Sequence, residues 1–168
     1  MSAKKTLSAA QCRALLASPA GWIACGFGSG LVPLAQGTAG SLAALLPWVF
    51  LRGLAWPWYA LVLVGGFALG VWAANVASRA LGVADHRAIV WDEFIGQWIA
   101  LWPLALAAAA SWWWMLAGFA LFRLFDVWKP WPICWLDRHV KGGLGVMLDD
   151  IAAGVVAASA LAFALALV

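Results

Sequence analysis

Apolar residues run almost unbroken through this chain, and its few charged positions fall into clusters. Between Leu42 and Ala77 the only charged residue is Arg52, and from Phe94 to Phe122 and from Ile151 to Val168 there is none. The first two runs, 42–77 and 94–122, each exceed the roughly 20 apolar residues that one helix needs to cross a bilayer. Each is long enough for a helical hairpin. The third, "IAAGVVAASALAFALALV", suffices for one more helix across or into the bilayer. Four polar islands interrupt these runs: 26–41, 78–93, 123–141 and the pair Asp149 and Asp150.

The apolar runs are rich in Ala and Leu, which favour helix. Pro33, Pro47, Pro57, Pro103, Pro130 and Pro132 mark helix ends or kinks. Tryptophans, which concentrate at bilayer interfaces, cluster at "WPW" (56–58) and "SWWWM" (111–115), about midway between islands. These read as the far-side turns of two hairpins, which puts all four islands on one side. The run 94–122 is short for two full spans at about 1.5 Å of rise per residue. One long tilted helix kinked near Pro103 is the alternative, and it would carry the third island across the membrane. Charge counting favours the hairpins: Lys4, Lys5, Arg13, Arg79, Arg87, Arg123, Lys129, Arg138 and Lys141 then share one face, leaving Arg52 near the other.

The expected fold is all-α: a multi-pass integral membrane helical bundle of about four membrane-embedded helices in hairpins, plus interfacial helices, with the active-site loops on the cytoplasmic face. No repeat or composition break divides the chain, so 1–168 reads as a single domain. Near the N-terminus the apolar stretch 20–27 is too short and too Gly-rich for a secretory signal. That predicts a retained, cytoplasmic N-terminus with a short amphipathic helix at the interface.

Composition strengthens the membrane reading, because 66% of the residues are hydrophobic, against about 45–50% in a soluble domain. A net charge of +3 beside a membrane points to anionic lipid as partner. No basic and aromatic interleaving in a soluble segment supports nucleic-acid binding. Cys12, Cys25 and Cys134 are odd in number and lack CxxC or Cys/His spacing, so they read as small core hydrophobes.

The acidic complement is seven residues, Asp85, Asp92, Glu93, Asp126, Asp137, Asp149 and Asp150, each on or beside an island. Any one alone is a solvated helix-end charge, and Asp149 and Asp150 would also suit a helix N-terminus. Gathered in so acid-poor a chain, they point to a shared cation, since adjacent carboxylates at the mouth of an apolar helix repel and are costly to desolvate. All-oxygen ligands are hard and suit Mg2+. Arg123, Lys129, Arg138 and Lys141 lie among these acids, and cations mixed with a metal's carboxylates fit a phosphorylated substrate. In "GFGSGLVPLAQGTAGS" the glycines permit close backbone approach, although the GK[ST] of a P-loop is missing. His86 and His139 lack metal-pair spacing and read as surface histidines.

Three stretches, "GSGLVPLAQGTAGS", "DHRAIVWDEFIGQW" and "FRLFDVWKPWPICWLDRHVKGGLGVMLDDIAAG", closely resemble the phosphatidylglycerophosphatase A family. The resemblance covers all four islands in order, and FRxFDxxKPxPI followed by KGGxGVMxDDxxAG is its most specific part. One departure is Gln36, where the family commonly has proline before Gly-Thr. The resemblance implies a Mg2+-dependent lipid phosphatase of the bacterial inner membrane, multi-pass, its active site facing the cytoplasm. Its phospholipid substrate, phosphatidylglycerophosphate, would lose its terminal phosphate to give phosphatidylglycerol.

On that footing Asp92, Glu93, Asp126, Asp149 and Asp150 are the expected metal ligands, with Asp85 as a ligand, a supporting group or the base that orients water. Lys129, Arg138 and Lys141, with amides around Gly37, Thr38 and Gly142, would hold phosphate oxygens, and Arg123 would brace Asp126 or meet headgroups. Two other classes stay open at this point: a cation channel or transporter, and a non-catalytic lipid-binding protein. A transferase acting on a nucleotide-activated alcohol would need a DGxxAR-type motif, which is absent.

Overall fold

The computed structural model describes residues 7–83, 86–107 and 111–167. Every regular element among them is helical: α1 (Ala9–Leu16), α2 (Pro19–Ala24), a 3-10 segment (Gly26–Leu31), α3 (Gln36–Leu51), α4 (Trp56–Leu81), α5 (Trp91–Ala100), α6 (Trp102–Ala107), α7 (Trp112–Trp128), α8 (Ile133–His139) and α9 (Gly142–Ala166). Two of them, α4 and α9, are long and apolar enough to cross a bilayer. Large apolar side chains such as Leu46, Phe50, Val64 and Phe163 lie exposed on the helices. Hydrocarbon can solvate such a surface and water does so only at a cost.

The first hairpin forms as the pattern predicts. Chain reversal occupies Arg52–Ala55, and Trp56, Pro57 and Trp58 open α4, where the missing N–H of Pro57 costs nothing. Buried hydrogen bonds lock the pair: Trp48 Nε1 donates to the Tyr59 hydroxyl (3.2 Å), which donates to the Trp98 carbonyl of α5 (2.6 Å).

The second run is also a hairpin, not one kinked helix. A Cβ placed on Gly96 of α5 would meet Phe122 of α7 at 2.5 Å, and one on Gly118 of α7 would meet Leu101 at 2.5 Å, so the two segments run antiparallel. Its outward limb is broken, since α5 ends at Ala100 and Pro103 sits in the first turn of the separate α6. That break lets 29 residues reverse direction.

The last helix differs from expectation, because α9 begins at Gly142 and not after the acidic pair, which lies two turns inside it. The start is fixed from elsewhere in the fold: Gly142 takes φ +73°, and Asn75 of α4 accepts the Gly143 N–H at 2.9 Å. From there α9 packs against α4, α5, α7 and α8. Near the N-terminus, α1 is closed by a reciprocal cap between Ser8 and Gln11 and buries Leu15. Helices α3, α5 and α9 therefore start, and α4 and α7 end, at the same pole of the bundle.

Candidate active site

At that pole the helix ends surround a cavity of about 760 Å3, lined from α3, the α4–α5 connection, α5, α7, α8 and α9. Asp92 and Glu93 enter it from the first turn of α5, where the helix dipole favours negative charge. Asp150 enters from α9, and one carboxylate oxygen from each of Asp92, Glu93 and Asp150 lies within 4.8 Å of the others. Asp92 Oδ1, Glu93 Oε2 and Asp150 Oδ2 are buried with no hydrogen-bond partner. Buried carboxylates in this state require a counter-charge.

Asp126, Asp137 and Asp149 have one. Asp126 takes Arg123 Nη1 at 2.6 Å. Asp149 takes the Lys129 ammonium, which also holds Asp137 at 2.9 Å. The divergence of the acidic pair follows from helix geometry, since successive residues point about 100° apart. Asp150 turns towards α5 and Asp149 towards α7 and α8. Among the described residues the salt bridges thus go to Asp126, Asp137 and Asp149, and Asp92, Glu93 and Asp150 make none, with the Arg123 guanidinium near Glu93; the three are a hard-oxygen set that fits a divalent cation such as Mg2+.

Lys129 is the C-cap of α7 and adopts φ +46°, with Pro130 behind it preventing continuation of the helix. Burial pushes its ammonium pKa down, but Asp149 and Asp137 more than offset this and the pKa is raised, so the charge persists at physiological pH. Burial likewise raises the Asp137 pKa, and Lys129 overrides it to leave a net lowering.

Opposite these side chains, α3 opens after Ala35, whose φ of +50° turns the chain and which offers no side-chain cap. Gln36, Gly37 and Thr38 of that first turn line the cavity, and first-turn amides have no acceptor within their own helix. Gly37 is required there for space: a Cβ would run into Glu93 Oε1 and come within 3.2 Å of the Arg123 guanidinium. Gly37→Ala is expected to lower turnover about tenfold by displacing Glu93, with little change in melting temperature. An assay of rate alongside thermal unfolding checks this, and an equal fall in stability would contradict it.

Gly37, Thr38, Asp92, Glu93, Asp126, Lys129, Lys141, Gly142, Asp149 and Asp150 all line the cavity. Arg138 does not: it is exposed on α8, because Asp137 takes the inward position and the next residue is rotated out of it. Asp85 lies outside the described residues. His86 is buried, not at the surface, and its Nδ1 accepts the Ala88 N–H at 3.1 Å. His139 is exposed and stacks on Trp135. Gln36, Arg87 and Asp137 also line the cavity and had no place in the expected site. Arg87 and Asp137 carried only the signal of belonging to polar islands.

Fold and cavity together define an all-helical membrane protein whose polar pole gathers a cluster of carboxylates with lysine and arginine side chains in one cavity. The chain belongs to the phosphatidylglycerophosphatase A family, whose model matches residues 22–165. Phosphatidylglycerophosphatase A of Escherichia coli K12 is 48% identical over 154 residues, covering 92% of this chain and 88% of the relative. The Haemophilus influenzae protein of the same name is 43% identical over 143 residues, covering 84% and 86%. A Bacteroides thetaiotaomicron relative, named provisionally as a phosphatidylinositol-3-phosphatase, is 44% identical over 140 residues, covering 79% and 85%. No solved structure matches the chain significantly.

Proposed function

We propose that this protein hydrolyses the terminal phosphomonoester of phosphatidylglycerophosphate, releasing phosphatidylglycerol and inorganic phosphate, with Mg2+ as cofactor. The observation that carries the reading is the adjacency, within one cavity, of three acids with buried unpartnered oxygens and no salt bridge among the described residues, a protonated lysine and the first turn of α3, which has no side-chain cap. Asp92, Glu93 and Asp150 would hold Mg2+, which when bound supplies Lewis-acid neutralisation of the phosphate's charge. Lys129, Lys141 and the amides of Gly37 and Thr38 take phosphate oxygens and fix the ester for in-line attack by water. Water's oxygen bonds to phosphorus as the P–O bond to glycerol breaks, and one of the water's two protons ends on the departing glycerol oxygen, giving the alcohol of phosphatidylglycerol and hydrogen phosphate. Arg123 keeps Asp126 and, through the Ser41 hydroxyl (3.4 Å), the start of α3 in register with α7.

In this reading the protein is a multi-pass component of the bacterial inner membrane. Helices α4 and α9 cross it, and α3 and the α5–α6/α7 hairpin are embedded beside them. The positive charge of the islands supports a cytoplasmic face for the cavity. Gathering of the acids at one pole supports an enzyme over an ion pathway, which would distribute them through the membrane depth.

The test is phosphate release by purified protein in detergent from phosphatidylglycerophosphate, phosphatidate, phosphatidylinositol 3-phosphate and a soluble phosphomonoester, with Mg2+ and then with EDTA. Phosphatidylglycerophosphate is expected to be turned over fastest, and EDTA to suppress release at least about a hundredfold. No release from it, or release indifferent to EDTA, overturns the substrate or the metal respectively.

A further inference from the structure

We infer that the acyl chains of the phospholipid substrate leave the cavity between α3 and α7, over an apolar lip formed by Leu34 and Val127. The inference rests on the proposed function and adds where the lipid passes. Both side chains line the acid-bearing cavity, yet Leu34 is 82% and Val127 72% exposed. Such groups on the rim of a polar site gain nothing from the carboxylates and ammonium behind them.

Their positions follow from the backbone. Leu34 stands between Pro33 and the left-handed Ala35, in the turn that leads into α3 at the cavity's rim. Val127 lies one helical turn beyond Arg123 on the same face of α7, so it lines the same cavity nearer the helix end, where it is open to the outside. Arg123 and Ser41 join the two helices behind this lip. Further along the same two helices Leu42 and Leu46 are exposed on α3 and Leu124 on α7. A phosphomonoester held by Lys129 and the α3 amides leaves the diacylglycerol end to follow apolar surface back to hydrocarbon, because each methylene kept out of water favours that path. A second cavity of about 490 Å3, with a mainly apolar wall that includes Trp72 and Val83, shares only Gly142 with the lining of the first and holds none of its carboxylates, so it is the competing route against which the lip is tested.

Leu34→Gln and Val127→Gln remove apolar contact without changing the site's charge, and Trp72→Gln does the same at the second cavity. With diacyl phosphatidylglycerophosphate in mixed micelles, each lip variant is expected to raise KM about fivefold while kcat stays at the wild-type value. On the deacylated counterpart, glycerophosphoglycerophosphate, the lip variants are expected to match the wild type, and Trp72→Gln to match it on both substrates. Unchanged KM in both lip variants, a rise confined to Trp72→Gln, or an equal loss on the deacylated substrate overturns the portal. A wild type inactive on the diacyl lipid overturns the proposed function and the portal with it, whereas an active wild type with unaffected lip variants overturns the portal alone.

Discussion

Asp150→Asn is expected to lower phosphate release from phosphatidylglycerophosphate about a thousandfold or more, while the protein stays folded and inserted. Asp150 is 4% exposed and has one carboxylate oxygen without a partner beside the similarly unpaired Asp92 and Glu93. Asparagine preserves its volume and removes the charge that a divalent cation would require. Without a cation, three buried acids destabilise one another, so neutralising one leaves the fold intact or firmer. The variant therefore separates chemistry from structure. A binding readout accompanies the rate: Mg2+ is expected to raise the melting temperature of the wild type and not that of the variant. Turnover within tenfold of wild type, or an undiminished Mg2+-induced shift, would remove Asp150 from the metal set.

Gly154→Ala is expected to act by the opposite route, damaging the fold first and activity as a result. A Cβ at Gly154 would lie 2.5 Å from the Gly96 carbonyl oxygen, so α9 and α5 touch backbone to backbone where they cross. That atom is fixed by its own helix and cannot swing aside as a side-chain tip can. Small residues at such crossings let membrane helices pack closely, and overfilling a tight contact costs about 1–3 kcal/mol. The same crossing sets the distance between Asp150 on α9 and Asp92 and Glu93 on α5, so turnover should fall with stability. Thermal unfolding in detergent, read alongside Mg2+-dependent phosphate release, checks both parts. An unchanged melting temperature would show that the helices separate without cost and that the close contact is not needed.

Hairpin reversals near the Trp clusters were legible because bilayer thickness imposes a length on each charge-free run. The common polar pole followed from the run lengths and from the one-sided distribution of Lys and Arg. Helix boundaries were less accessible: "KGGLGVM" reads as a loop by its glycines, yet Gly142 starts α9, since Asn75, far away in sequence, caps the Gly143 amide. Arg138 resembled a phosphate ligand by composition and neighbourhood. One helical step from the inward Asp137 carries it out of the cavity, and that rotation is set by how α8 seats Ile133 in the core. His86 was similarly misplaced at the surface, because nothing local announces that its segment is covered by α1, α2 and α4.

The sequence by itself determined that acids and bases of distant segments must meet at one end of a membrane-embedded helical bundle, because hydrocarbon will not solvate them and each charge-free run is long enough to return. Only the tertiary structure decided how they divide there: Arg123 to Asp126, Lys129 to Asp149 and Asp137, and, among the described residues, no salt bridge for Asp92, Glu93 and Asp150. That division depends on distances of a few ångströms between helices, set by backbone contacts such as Gly96 with Gly154, and residue spacing along one chain does not encode them.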